Sequence, residues 1–241
     1  MKIEGKNPVR EIINSDATIE KIMIENGNRD AVIREIFSLA KERKIKVEFV
    51  DKRGLDKISE TGHHQGVIAE YTNFKYADLE TVISQNKQQN KDILFLILDE
   101  ILDPHNLGSI IRVAECAGAS GVIIPSRRSA TVNETVVRTS AGATAYVPVI
   151  KVGNINSAIE TLKNENIWIY ALDMDGDEMY DVNLTGNVGL VVGGEGSGVK
   201  QLTKKLCDGV VKIPMFGNVN SLNASVSAAV ATYEVIRQRR R

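Results

Sequence analysis

The chain has 241 residues, 43% of them hydrophobic and 25% charged, with a net charge of −1. That balance excludes collagen, coiled-coil and disordered classes, and a chain of this length buries roughly 70 to 75% of its extended surface on folding, so no metal or disulfide staple is needed. Cys116 and Cys207 form no CxxC pair, no apolar stretch approaches the roughly 20 residues of a membrane span, and Met1 to Gly5 lacks the apolar core of a signal peptide, all of which fits a reducing cytoplasm.

Residues 1 to about 75 alternate helical and extended patterns. Helices are expected over Pro8 to Asn14, Asp30 to Arg43 and near Gly54 to Ser59, and strands over Ile19 to Ile24, Val47 to Val50 and Gly66 to Tyr71. Val32, Ile33, Ile36, Phe37, Leu39 and Ala40 recur at helical spacing behind Asp30, whereas Val47-Glu48-Phe49 alternates like a strand. This pattern is that of a small α/β unit. The tract from Ser84 to Lys91 is too poor in apolar residues to order itself and reads as a linker, placing a domain boundary within 76 to 91.

From residue 92 to 241 the texture changes to apolar strands, each expected to lead into a helix. They are Ile93 to Leu98, Gly121 to Ile124, Ala145 to Val149, Ile167 to Ala171, Val188 to Val192 and Val210 to Ile213. Strands apolar on both faces belong in a parallel sheet covered by helices, with ligands at the carboxyl ends of the strands. The even net charge leaves any polyanion partner to local patches: Lys41 to Lys44, Arg127-Arg128 and the tail Arg237 to Arg241. Each reads first as a solvated face or, at the tail, as helix C-terminal charge.

Three polar loops at strand ends hold the unusual residues. In Leu98 to Arg112, Asn106 is placed to cap a helix that carries Arg112. Taken alone, an arginine among apolar neighbours is more often a buried ion-pair partner than a catalytic group. The loop Val191-Val192-Gly193-Gly194-Glu195-Gly196-Ser197-Gly198-Val199-Lys200 is neither a P-loop, since Val199 stands where the lysine belongs, nor a dinucleotide fingerprint, since Glu195 stands where a phosphate would approach. Its glycines admit close backbone approach by a neutral or cationic ligand, although a plain glycine turn capped by Glu195 is an equal reading. The third stretch, Ile213 to Ala231, leads into a helix of small residues in which Asn223, Ser225 and Ser227 need partners if buried, as caps or otherwise.

Taken together, Asp103-Pro104-His105-Asn106-Leu107-Gly108-Ser109-Ile110-Ile111-Arg112, Gly193-Gly194-Glu195-Gly196-Ser197-Gly198 and Ile213-Pro214-Met215-Phe216-Gly217-Asn218-Val219-Asn220-Ser221-Leu222-Asn223-Ala224-Ser225 resemble the three motifs of the SpoU (TrmH-like) family of RNA ribose 2'-O-methyltransferases, in order and at similar spacing. Gly5 to Val9 and His63-His64-Gln65-Gly66-Val67 resemble more loosely the ribosomal-protein-like substrate-binding domain of the subgroup that methylates a 23S ribosomal RNA guanosine; the two histidines read equally as turn residues entering a strand. The resemblance implies an α/β fold of SPOUT type, in which a small α/β domain over 1–75 precedes a trefoil-knotted parallel-sheet methyltransferase domain over 92–241, the knot spanning about 170 to 230. Threaded chains are otherwise very rare. It further implies an S-adenosylmethionine pocket at Gly193, Ile213 and Leu222, with Thr144 in the nearby segment 139–144, and a homodimer.

The same resemblance makes Arg112 the general base, with Asn106, Glu195, Ser221 and Asn223 shaping the catalytic site. A guanidinium, with a pKa of about 12.5 or more, is a poor base unless desolvated or aided by a phosphate, so an Arg112 that stays charged, clamps a phosphate and stabilises the alkoxide is the alternative. The expected function is ribose 2'-O-methylation in structured RNA, with transfer RNA as the alternative substrate. A non-catalytic RNA-binding ribosome-assembly protein would lack a motif residue, and none is missing. A dinucleotide oxidoreductase draws only on the α/β texture and the glycine loop. No metal site is expected, because His63, His64 and His105 form no ligand spacing.

Overall fold

The computed structural model describes all residues except Asp16, Glu195, Ser197 and Arg241, and divides into two compact units, 1–75 and 76–241. In the first unit the elements are β1 (Lys2–Glu4), α1 (Lys6–Ile13), β2 (Thr18–Glu25), α2 (Ala31–Glu42), β3 (Val47–Val50), α3 (Lys52–Ile58) and β4 (Val67–Thr72). Its sheet runs β1-β4-β2-β3, antiparallel except for the β2–β3 pair. The period of two along β2 sends Ile22 and Ile24 to a core shared with Val9, Ile12, Ile33 and Ile36 of α1 and α2, and sends Met23 to the opposite face against Leu55 of α3. Asp30 caps α2, its Oδ1 accepting from the Val32 N–H at 2.9 Å.

The second unit holds α4 (Leu79–Gln88), β5 (Leu94–Asp99), α5 (Pro104–Cys116), β6 (Gly121–Pro125), α6 (Glu134–Thr139), a 3-10 turn (Ala143–Ala145), β7 (Val149–Val152), α7 (Ile155–Asn164), β8 (Trp168–Glu178), β9 (Val188–Gly193), α8 (Gln201–Leu206), β10 (Gly209–Lys212) and α9 (Ala224–Arg239). All pairs in its sheet, ordered β10-β8-β9-β5-β6-β7, are parallel. Every residue of central β5 is buried, as a strand covered on both faces requires. Phe95 and Ile97 join Val82 and Ile83 of α4 and Ile155, Ile159 and Leu162 of α7 in one core. On the other side α5 packs against α9, where the fully buried Ala228 and Ala231 permit close approach.

Three expectations are corrected. Much of the supposed linker is α4, because Val82 and Ile83 supply enough apolar surface to order a polar helix capped by Asp78. The strand expected over 145 to 149 starts only at Val149, after Pro148, whose missing N–H cannot join a ladder. No helix follows β8: the segment 179–187 returns directly to β9, held to α9 by Gln238, which accepts from the Leu184 N–H at 2.8 Å and donates to the Val182 carbonyl at 3.0 Å. The tail carries basic charge in the last turn of α9, as expected, and Arg239 also donates to the carbonyls of Ile93 and Gly186 at 2.7 and 2.6 Å, where burial pushes its guanidinium below the usual range. Arg43 likewise donates to the Ile13 carbonyl. Among the described residues no helix is long and apolar enough to cross a membrane, and no cluster of metal-ligating side chains occurs.

Candidate functional site

The carboxyl ends of β8, β9 and β10 surround a cavity of about 720 Å³, within the usual range for small-molecule sites. Backbone forms much of its wall. β9 ends in Gly193, with Gly194 directly after it, and a Cβ on Gly193 would sit 2.1 Å from the Gly198 carbonyl carbon, while one on Gly194 would sit 2.5 Å from the Glu100 carbonyl oxygen. Only glycine lets these turns close on each other. Ile213 continues β10 into the wall, and Ser221, Leu222 and Asn223 supply the opposite side ahead of α9.

Of the three lysines that line the cavity, Lys200, Lys204 and Lys212, the first two are neutralised by carboxylates. Lys200 Nζ lies 2.6 Å from Glu100 and 3.7 Å from Asp99, and Lys204 Nζ lies 2.8 Å from Asp173 and 3.2 Å from Asp175. A hydrogen bond from Lys200, reinforced by its charge, holds the Glu100 carboxyl below the usual range. Burial alone would lower the Lys204 ammonium, but Asp173 and Asp175 outweigh it and raise it. Buried Asp99 also accepts from the Lys200 N–H at 3.2 Å and the Thr203 hydroxyl at 3.1 Å, fixing the entry to α8. A phosphate needs donors with charge to spare. A sulfonium donor without phosphate fits this wall: glycine backbone for close approach, Leu172, Ile213 and Leu222 for an apolar ring, and ammonium groups on Lys200 and Lys204 that are already paired.

Asn106 is not the helix cap. Asp103 is, its Oδ1 accepting from the His105 N–H at 3.0 Å with Pro104 in the first turn, so that Asn106 falls inside α5 and is 6% exposed. There its Oδ1 accepts from Asn223 Nδ2 at 3.0 Å. Asn223 in turn caps α9, accepting from the Ser225 and Val226 N–H groups. The first and third motifs therefore meet side chain to side chain at the edge of the cavity.

The structure thus brings together Gly193, Ile213, Ser221, Leu222 and Asn223 around the cavity, with Asn106 bonded to the last. Two expected residues stand apart. Thr144 lies in the 3-10 turn of the segment 139–144, which packs against α5 where Gly108 leaves room, and does not line the cavity. Arg112 is exposed on α5, off the cavity wall, and makes no ion pair with any described residue, so the buried-partner reading is wrong. Glu195 lies outside the described residues. Sequence reasoning missed Leu172, Asp173 and Met174; the signal was the abrupt change from apolar to acidic residues along β8.

In the first unit, His64 is buried and structural: its Nδ1 accepts from the Gly66 N–H at 3.0 Å, which leaves Nε2 to donate to Asp56 at 2.9 Å. His63 is exposed.

Comparison with known proteins agrees with this geometry. Residues 93–233 match the model of the SpoU rRNA Methylase family, and residues 2–77 match that for RNA 2'-O ribose methyltransferase substrate binding. A Staphylococcus saprophyticus protein assigned to the TrmH family of tRNA/rRNA methyltransferases is 43% identical over 98% of this chain and 95% of its own. The YacO protein of Bacillus subtilis, assigned to the same family, is 40% identical over 98% and 94%. In fold, the chain is similar to the SpoU methyltransferase AviRb from Streptomyces viridochromogenes, solved in complex with the cofactor AdoMet, with a TM-score of 0.62, 24% identity, and coverage of 99% of this chain and 90% of that one. Two family models over nearly the whole length and relatives above 40% identity place this chain in the SpoU family of RNA methyltransferases, with a substrate-binding domain of that family ahead of the methylase domain.

Proposed function

We propose that the chain is an S-adenosylmethionine-dependent ribose 2'-O-methyltransferase of structured RNA, cytoplasmic and homodimeric, with a guanosine of 23S ribosomal RNA as its target. One observation carries the reading: a glycine-walled cavity, with Lys200 and Lys204 neutralised by carboxylates, adjoins the Asn106–Asn223 pair at the carboxyl edge of a parallel sheet. The bound cofactor supplies a methyl group on a positively charged sulfur. Gly193 and Gly194 let backbone groups approach that ligand, while Ile213 and Leu222 cover its apolar parts.

Asn106 and Asn223 hold the ribose hydroxyl in line, and Ser221 faces the same space. Positioning of this kind is worth up to roughly 7 to 11 kcal/mol in favourable systems. Arg112, exposed and away from its own cavity, is suited to act on the cavity of a second copy, clamping a phosphate and stabilising the developing alkoxide. The trefoil knot is supported by the chain path: β10 lies at the sheet edge outside β8, and α9 then returns to hold the 179–187 crossing through Gln238 and Arg239.

Transfer RNA is the second reading, favoured by relatives assigned to both substrates. Labelled methyl transfer to 23S ribosomal RNA and to bulk transfer RNA, followed by mapping of the alkali-resistant linkage, tests both. Label on a base, or on neither RNA, refutes the proposal.

A further inference from the structure

The loop after β6 carries Arg127-Arg128, which nothing above uses. We infer that these two arginines form a phosphate clamp that grips the RNA backbone beside the methyl-transfer cavity, an inference that rests on the RNA methyltransferase reading. Three observations converge. The loop is pinned to the segment between β5 and the first motif, because the Ala130 N–H donates to the Ile101 carbonyl at 2.7 Å and the Ser129 hydroxyl donates to the same oxygen at 3.3 Å. Its other end is tied to the sheet by the Ser126 N–H, which donates to the Val152 carbonyl at 2.8 Å.

Within this anchored loop Arg128 has φ +54°, a left-handed conformation that costs a non-glycine residue energy and persists where the surroundings impose it. Its side chain is 80% exposed. The second observation fixes the place. Arg128 Nη1 lies 3.6 Å from Glu100, and the same carboxylate oxygen lies 2.6 Å from Lys200 Nζ, a residue of the cavity wall. One carboxylate therefore separates Arg128 from the cavity, and Lys200 already holds it.

The third observation is charge. Residues 126 to 133, Ser-Arg-Arg-Ser-Ala-Thr-Val-Asn, contain no carboxylate, and Arg127 is exposed with no ion pair among the described residues. Two planar guanidinium groups on a rigid loop match the bidentate geometry of phosphodiester oxygens. Contacts of this kind set register rather than sequence preference. The solvated-face reading of this pair does not explain why the loop is anchored to the segment that leads into the first motif.

The test is the double variant Arg127→Gln/Arg128→Gln, measured by filter binding to radiolabelled 23S ribosomal RNA and bulk transfer RNA from about 50 to 200 mM salt. Affinity is expected to fall on the order of tenfold, with the logarithmic salt slope shallower by about 1.4 to 1.8, for both RNAs alike. Arg127→Lys/Arg128→Lys is expected to keep the slope and recover part of the affinity. S-adenosylhomocysteine affinity and oligomeric mass are expected to stay as in the wild type. Unchanged RNA affinity and slope overturn the clamp. So does a loss of S-adenosylhomocysteine affinity in place of RNA affinity, which makes Arg128 a support of the wall through Glu100, or a changed oligomeric mass, which makes the loop an interface between copies. A wild-type protein that binds RNA with the full slope but transfers no methyl group removes the proposed function and leaves the clamp standing.

Discussion

Asn223 performs two tasks that substitution can separate. Its Oδ1 caps α9, accepting from the Ser225 N–H at 2.9 Å and the Val226 N–H at 3.4 Å, while its Nδ2 donates to the buried Asn106 at 3.0 Å. Asn223→Ala removes a cap worth about 1 kcal/mol and a hydrogen bond worth about 1 kcal/mol, about 2 kcal/mol together. For a chain of this size that lowers the melting temperature by roughly 4 to 8 °C. Asn223→Asp keeps an acceptor at the helix start, where a negative charge is favoured, and so restores the cap share of the loss. It also removes the donor that orients Asn106. Methyl transfer is therefore expected to fall on the order of a hundredfold in both variants, the cost of a misplacement of about 1 Å. Scanning calorimetry and initial rates of labelled methyl transfer to ribosomal RNA measure the two effects. Asn223→Asp transferring methyl groups at the wild-type rate would refute the argument and leave Asn223 a helix cap.

Gly194→Ala puts a Cβ 2.5 Å from the Glu100 carbonyl oxygen, so the turn retreats by nearly 1 Å; titration calorimetry should show S-adenosylhomocysteine bound about tenfold more weakly. Arg112→Ala, on an exposed side chain, leaves stability within about 0.5 kcal/mol and cofactor affinity unchanged but strongly reduces methyl transfer. Mixing it with Gly194→Ala under exchange conditions, at a cofactor concentration too low to load the Gly194→Ala pocket, restores about a quarter of wild-type activity if Arg112 serves the second copy's cavity, and nothing above the two variants measured separately if each chain is self-sufficient. Burial alone would raise the Glu4 carboxyl, yet hydrogen bonds from Ser59, Thr61 and the Glu60 N–H outweigh it and hold it at about 2 against the usual 4.5. Its stabilisation, about 1 to 2 kcal/mol after solvent screening, is present above pH 4.5 and lost as the pH falls toward 2, and Glu4→Gln flattens acid denaturation over that window. Burial pushes the Cys207 thiol up to about 12, so iodoacetamide at mildly alkaline pH should label exposed Cys116 and spare Cys207, as peptide mass spectrometry would report.

Strands and helices with a strong period of their own were legible along the chain: Ile93 to Leu98 and the α2 pattern behind Asp30 appear where their spacing puts them. The failures share a cause, which is context supplied from far along the chain. The polar run of α4 is helical because Val82 and Ile83 dock on β5 and α7, a partnership no local window contains. Asn106 looks like a cap only if Asp103-Pro104 is taken as loop; once Asp103 takes the cap, the same asparagine is carried inside the helix toward α9, 117 residues away in sequence. The direct return from β8 to β9 was illegible for the same reason, since it depends on Gln238 and Arg239 at the far end of the chain.

The choice of cofactor class turns on the same distinction between composition and pairing. Glycines between a strand and a helix are common to sites that cradle phosphate and to sites that do not, and wall lysines such as Lys200 and Lys204 would ordinarily favour phosphate. Here the acidic residues that end β5 and extend β8 sit against those lysines: Asp99 and Glu100 on Lys200, Asp173 and Asp175 on Lys204. A dinucleotide reaching for Lys200 or Lys204 would have to break ion pairs before it gained any there, whereas a sulfonium ligand leaves those pairs in place. The glycines make close approach possible, and the paired charges decide what may approach.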